Sequence, residues 1–268
     1  NSESSIATMY MWQHYAEVKY YAKDHILYSI YQNNKGKYFS FMPYGSSRNS
    51  TFVLDELYNL YVKLNRPLTI KLCTDDFVDF VKSCTNYNTV ITPVENSFDY
   101  VDLINLSGKK YHGKKNHINS FNKNYKYEYV RYNDSMKDSC VNFCAKTLRQ
   151  YYGQNSSAYD TELLSVTKTF DNINELNLKC GIICVEGKIV ALSVGERLNK
   201  DYALIHIEKA DYNYRTAYSV INNLFLKNEF YDTVYVNREE DMGIEGLRKA
   251  KMSYHPCHMI KKYTVEFI

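Results

Sequence analysis

Residues 180–209 read CGIICVEGKIVALSVGERLNKDYALIHIEK, and this stretch decides the fold. Cys180 to Val185 is an apolar, β-branched run that reads as a strand. Glu186-Gly187-Lys188 is a turn, and Ile189 to Glu196 resumes as the hairpin partner. Asn199-Lys200-Asp201 marks a second turn, and Tyr202 to Lys209 a third strand. Upstream, Met136, Cys140, Phe143, Cys144, Leu148 and Tyr151 recur at helical spacing, which predicts a helix over 135–152. A second helix is expected over about 159–173. Downstream come a helix over about 215–229, a strand from Thr233 to Asn237, a short helix from Ile244 to Ala250 and a last strand from about Ile260 to Phe267. The order α-α-β-β-β-α-β-α-β is an α+β pattern around a mixed sheet.

The first half reads as an incomplete copy of that plan. Ile26 to Tyr31 and Tyr38 to Met42 pair across Asn33-Asn34-Lys35-Gly36. A helix over 52–64, a strand over 68–72, a helix over 75–83, strands near 89–94 and 99–105, a basic helix over about 107–122 and a strand from Tyr125 to Tyr132 follow. Asn133-Asp134-Ser135 ends that strand and offers capping side chains to what comes next. The expected division is therefore 1–132 and 133–268, with no Pro/Gly/Ser linker between closely packed halves.

Composition narrows the class. The 268 residues are 45% hydrophobic and 24% charged, which suits a chain that buries a core and excludes a disordered one. The 28 Tyr against one Trp read as a coding bias rather than a functional device. A formal net charge of +3 is too weak to argue nucleic-acid binding by itself. The seven Cys are odd in number and lack a CxxC; Cys140/Cys144 and Cys180/Cys184, four apart, read as buried thiols, and reduced Cys in a chain of this length point to a cytoplasmic protein. No apolar run approaches the ~20 residues that cross a bilayer. Asn1 to Ser5 are polar, without a basic leader region, and the abrupt start leads us to expect further residues before Asn1.

Three stretches carry a family resemblance. The first is Gly108-Lys109-Lys110-Tyr111-His112-Gly113-Lys114-Lys115-Asn116-His117-Ile118-Asn119-Ser120-Phe121. The second is His206-Ile207-Glu208-Lys209-Ala210-Asp211 with Tyr214-Arg215-Thr216-Ala217-Tyr218-Ser219-Val220-Ile221-Asn222. The third runs from Asn237-Arg238-Glu239-Glu240-Asp241 through Arg248 and Lys251 to Tyr254-His255-Pro256 and Lys261-Lys262-Tyr263. Together, and with Met11-Trp12-Gln13 near the start, they resemble the phosphatidylglycerol lysyltransferase C-terminal-domain family, and more narrowly its stand-alone bacterial members. The resemblance implies two tandem acyltransferase domains of the GNAT fold. Its best-known members move a lysyl or alanyl group from charged tRNA to phosphatidylglycerol, behind a membrane domain that this sequence does not contain, so the lipid acceptor is not carried over. The related Fem-type aminoacyltransferases use the same architecture for soluble acceptors. One departure is Thr216, where the family prefers Gly.

The chemistry of acyl transfer selects the candidate residues: a base for the acceptor, donors for the developing oxyanion, and cations for the phosphates of the donor. Glu208 or His206 is the candidate base, on positions expected to share a strand face; the plainer alternative is that Glu208 pairs with Lys209 or Arg215 and His206 is a satisfied, partly buried residue. Asp211 and Asp241 are further catalytic candidates, although Asp241 would equally cap the helix from Ile244. Lys110, Lys114, Lys115, Arg215, Asn222, Asn237, Arg238, Arg248 and Lys251 are candidates for substrate or phosphate binding. The competing reading of Arg248 and Lys251, and of the lysines at 110, 114 and 115, is a solvated charged face. His255 and His258 flank Pro256-Cys257 at a spacing poor for zinc, and no metal site is expected. No permanently bound cofactor is expected; aminoacyl-tRNA or acyl-coenzyme A is the candidate donor, and tRNA the candidate partner. The acceptor is open, with a lipid head group or a cell-wall precursor in view. A non-catalytic module that binds tRNA or an anionic ligand, and a coenzyme A-dependent small-molecule N-acyltransferase, are the alternatives. The absent Arg/Gln-x-x-Gly-x-Gly/Ala signature weighs against the last.

Overall fold

A computed structural model describes residues 5–101, 103–153 and 156–268, the side chains of 95–97 aside. The polar start read at 1–4, and position 102 of the expected strand at 99–105, lie outside the described residues. In chain order the elements are α1 (Ile6–Met11), β1 (Ala16–Lys23), β2 (Ile26–Asn33), β3 (Tyr38–Phe41), α2 (Thr51–Lys63), β4 (Thr69–Cys73), α3 (Asp75–Ser83), β5 (Thr89–Tyr100), α4 (His112–Asn124) and β6 (Tyr127–Arg131). Then come α5 (Lys137–Tyr152), α6 (Ser157–Asp171), β7 (Lys179–Val185), β8 (Lys188–Arg197), β9 (Tyr202–Ala210), α7 (Ala217–Glu229), β10 (Tyr235–Glu240), α8 (Glu245–Met252) and β11 (His258–Phe267).

Local chemistry explains the turns. Glu186 and Gly187 both take positive φ, 50° and 73°, as a two-residue type I′ hairpin loop requires. Asn199 Oδ1 accepts from the backbone of Asp201 and Tyr202 at 2.9 and 3.0 Å, which starts β9. Ser50 caps α2 through Val53 N, and the stripe Val53, Leu54, Leu57 and Tyr61 buries one face of that helix.

All the strands join one sheet in the order β1-β2-β3-β4-β11-β5-β10-β9-β8-β7-β6. Two copies of one plan are visible: a meander (β1–β3, and β7–β9), a helix, a strand parallel to the last meander strand (β4, and β10), a second helix and a last strand. This is the tandem GNAT arrangement. In the first copy β1, paired with β2, supplies the meander strand that the sequence reading lacked. The last strands are exchanged: β11 lies between β4 and β5, and β5 lies between β11 and β10. The segment read as two strands near 89–94 and 99–105 is the single strand β5, with Pro93 beside a register shift opposite Lys262 and Tyr263. β6 stands at the far edge against β7.

Helices α2 and α3 cover β4 and β11 around Leu57, Tyr61, Phe77 and Val265. Helices α5 and α6, with α1, bury Ile182, Leu192 and Ile207 on one face of the second meander. Helix α7, with α4, buries Ile183, Ala203 and Ile205 on the other. Cys73, Cys84, Cys140, Cys144 and Cys180 are buried thiols, whereas Cys257 is exposed. Among the described residues, no helix is long and apolar enough to cross a membrane.

Candidate functional site

β9 and β10 pair over three positions, Tyr202, Ala203 and Leu204 with Tyr235, Val236 and Asn237. Beyond these they part, although β9 continues to Ala210 and β10 to Glu240. Each carries an irregularity where the gap opens. On β9, Val194 faces Ile207 while the next residue, Gly195, faces Ile205, so β9 bulges at His206. Gly195 is required there: a Cβ would stand 2.5 Å from the Leu204 carbonyl oxygen. On β10, the register against β5 shifts between Asn237 and Glu240, and Glu239 takes φ 54°.

The bulge overturns the expectation that His206 and Glu208 share a face. Ile205 packs with α7, but Ile207 packs with α5 and α6, so the alternation is broken between them. Glu208 returns to the α7 side, where Asn222 Nδ2 donates to its Oε2 at 3.0 Å. His206 turns the other way and is fully buried. Its Nε2 lies 2.9 Å from Glu196 and its Nδ1 2.9 Å from Glu239. Burial alone would lower its pKa, but the two carboxylates outweigh burial and hold it at about 9. Glu196 also accepts from the Ser5 hydroxyl at the start of α1. An imidazolium with both N–H groups engaged has no lone pair for a substrate proton, so the geometry gives His206 a structural place rather than that of a base.

The gap itself is filled by a connected polar group. Arg238 Nη2 donates to Glu208 Oε1 at 2.6 Å, so the partner of Glu208 is Arg238 and neither Lys209 nor Arg215. Lys209 instead reaches Glu162 on α6 at 2.6 Å. The Arg238 guanidinium lies 4.7 Å from the ring centre of Tyr254 and 5.8 Å from that of Tyr100. Burial opposes its charge, but Glu208 keeps its pKa raised. Two buried atoms of this group, Arg238 Nη1 and Asn222 Oδ1, have no hydrogen-bond partner among the described residues. Helix α4 adds Lys114 from the side: its Nζ donates to Ser253 Oγ at 2.7 Å and lies 3.7 Å from the Tyr254 ring centre. Burial, then the nearby Arg238, lowers Lys114 to about 8. His117 and Tyr254 both meet Ser219 Oγ, at 3.2 and 3.4 Å.

Other candidates shape the gap. Lys251 donates to the carbonyls of Arg238, Glu239 and Glu240, the last two at 2.9 and 2.6 Å, and so ties the end of β10. Burial, then Arg238, lowers it to about 8. Asp241 accepts from Gly243 N at 3.0 Å and Arg248 Nε at 2.5 Å, an Asx turn with an ion pair ahead of α8. Asn237 accepts from Glu239 N at 2.8 Å and donates to Asp99 at 2.6 Å. Asp211 folds the turn after β9: it accepts from Asn213 N and Nδ2 at 2.9 Å and from Lys146 at 2.7 Å. Burial raises its pKa, but Lys146 and Asn213 hold the carboxyl below the ordinary range. Thus Asp211, Asp241, Asn237, Arg248 and Lys251 are engaged in holding loops.

Arg215 is exposed and makes no ion pair among the described residues. Thr216 takes φ 73° at the start of α7, the backbone region that favours Gly, and its hydroxyl donates to His117 O at 3.0 Å. Lys110 and Lys114 do not share a helix face: Lys110 lies in a 3₁₀ turn, Lys109–Tyr111, that precedes α4. Lys110 and Lys115 are exposed, and Lys114 turns inward. Tyr100, Ser219, Tyr254, Glu196 and Glu239 belong to the two polar groups and were not singled out from the sequence. Tyr254, Ser219 and Glu239 stand within the stretches that carry the family resemblance; Tyr100 and Glu196 lie outside them and are brought in by strand pairing.

Known proteins agree with this architecture. A conserved protein of unknown function from Bacteroides thetaiotaomicron superposes with a TM-score of 0.93 at 28% identity, over 100% of this chain and 92% of that one. L-PGS from Bacillus licheniformis gives a TM-score of 0.71 at 13% identity, over 97% and 86% of the two chains. A tandem GNAT protein from the clavulanic acid biosynthesis pathway gives 0.53 at 9% identity, over 90% and 78%. In sequence, 176 residues are 28% identical to an uncharacterised protein of Mycoplasmoides gallisepticum; the match takes in 62% of this chain and spans about half, 54%, of that relative. Residues 1–266 match the family described as phosphatidylglycerol lysyltransferase, C-terminal, and the chain belongs to that family.

Proposed function

We propose that this chain transfers an aminoacyl group from charged tRNA to an amine or hydroxyl of an acceptor molecule, in the reducing cytoplasm. The observation that carries the reading is the parting of β9 and β10 after three paired residues, with Glu208, Arg238 and Asn222 in the opening. The family supports acyl transfer as the class of reaction.

In this reading the acceptor nitrogen or oxygen attacks the ester carbonyl of the aminoacyl group. A new C–N or C–O bond forms, and the ester bond to the terminal ribose breaks. Glu208 takes the acceptor's proton, since two hydrogen bonds leave it further lone pairs. The proton ends on the departing ribose oxygen. Arg238 Nη1 supplies a donor for the carbonyl oxygen as it becomes negative. Lys109, Lys110 and Lys115 lie exposed at and just before the start of α4 and meet the RNA backbone there.

Binding of deacylated tRNA and of coenzyme A, side by side at two salt concentrations, tests the donor. Tight, salt-sensitive tRNA binding is expected. In Lys110→Ala/Lys115→Ala the slope of log affinity against log salt should fall by about 1.5, because two phosphates are no longer neutralised. Coenzyme A binding without tRNA binding would overturn the donor, and binding of neither would overturn the reaction.

A further inference from the structure

We propose that Lys114, with Ser253 and the Arg238 side of Tyr254, forms a subsite in this cleft for the oxyanion of a bound substrate, a phosphate or a carboxylate. The inference rests on the transfer reading for which molecule bears the oxyanion, but not for the subsite itself.

Charge balance is the first argument. Two cations, Lys114 and Arg238, lie 3.7 and 4.7 Å from the centre of one buried ring, Tyr254. One carboxylate, Glu208, serves them, and Arg238 holds it at 2.6 Å. Among the described residues Lys114 has no ion-pair partner; its contacts are a hydroxyl and a π face. A half-buried ammonium in that position is costly unless a counter-charge arrives. The lowering of Lys114 to about 8 by burial and by Arg238 has the same origin.

Geometry is the second. Ser253 Oγ donates to Ala250 O at 2.6 Å, so its oxygen is fixed as the acceptor for Lys114. An ammonium has three N–H groups, and this leaves two for a ligand. Ser253 is exposed, so the ligand meets Lys114 at the rim. Arg238 Nη1, the orphaned donor, stands deeper. Lys110 and Lys115 are exposed, and among the described residues neither has a hydroxyl partner, although Lys110 lies 5.0 Å from the ring centre of its neighbour Tyr111.

The test is calorimetric titration of inorganic phosphate into the full chain. One saturable site is expected. Lys114→Met should weaken it at least tenfold, Lys114→Arg should retain it, and Lys123→Met, an exposed lysine in the last turn of α4, should leave it unchanged. Phosphate should also move the titration of Lys114, followed by NMR of ¹³Cε-labelled lysine, upward from about 8 toward its ordinary range. Displacement by glycerol 3-phosphate assigns the oxyanion to the acceptor, and displacement by adenosine 5′-monophosphate assigns it to the donor. Equal binding in Lys114→Met, or no shift of the Lys114 titration, overturns the proposal. Phosphate binding that survives while tRNA binding fails would remove the donor assignment and leave the subsite standing.

Discussion

Replacing His206 with Gln removes the cation from between two carboxylates. His206 is fully buried, 2.9 Å from Glu196 and 2.9 Å from Glu239. Its pKa rises from the ordinary 6.5 to about 9. A group whose folded pKa is raised contributes stability that is present in full below the unfolded value and is lost as pH rises through the folded one. At about 1.4 kcal/mol per unit, the imidazolium contributes about 3 kcal/mol below pH 6.5. Breaking a buried ion pair costs about 3–5 kcal/mol, which agrees. Urea unfolding of wild type and His206→Gln at pH 6 and pH 9.5 measures it. The gap should be about 3 kcal/mol at pH 6 and fall to about 1 kcal/mol or less at pH 9.5. Lys114 and Lys251, both lowered to about 8, change stability in the opposite sense over about pH 8–10.5. They do so in both proteins, and cancel from the difference. A gap that does not change with pH, or one under ~1 kcal/mol at pH 6, would refute the reasoning.

Three further outcomes are expected. Gly195→Ala places a Cβ 2.5 Å from the Leu204 carbonyl, and should lower stability in urea by about 1–3 kcal/mol. Thr216→Gly relieves a φ of 73° at the loss of one hydrogen bond, so its melting temperature should match or exceed that of wild type; Thr216→Val, which keeps the strain and loses the bond, should melt lower. Lys251→Met leaves three carbonyls without their donor; it should cost about 3 kcal/mol or more and loosen hydrogen-exchange protection at 238–240 first.

Much of the fold was readable because its signals are local. The meander at 180–209 is punctuated by Glu186-Gly187 and Asn199, whose side chains and φ angles form the turns read from them. β1 escaped because it is an edge strand, exposed along most of its length on both faces, so no alternation marks it. β5 was split because Pro93 interrupts its pattern; a register shift accommodates the proline. The exchange of β5 and β11 depends on pairing between residues more than 150 apart, for which one sequence carries no signal. At the site, residue types were legible and orientations were not. The motif named Glu208, Arg238 and Asn222, which meet. Strand alternation placed His206 on the face of Glu208, but one extra residue in β9 turns it to the opposite face. Lys114 looked like one of four similar lysines until its helix was packed against Ser253 and Tyr254.

The central claim is that the opening between β9 and β10 holds an aminoacyl group. The most direct test is to compare the affinity of deacylated tRNA with that of a tRNA carrying a hydrolysis-resistant, amide-linked aminoacyl end, for wild type, Arg238→Lys and Asn222→Leu, which remove the two polar atoms of the opening that have no partner among the described residues. The account predicts that the aminoacyl end tightens binding at least tenfold in wild type, and that both substitutions remove this increment while leaving the affinity for deacylated tRNA within about twofold. Equal affinity of wild type for the two tRNAs, or an increment untouched by both substitutions, would contradict it.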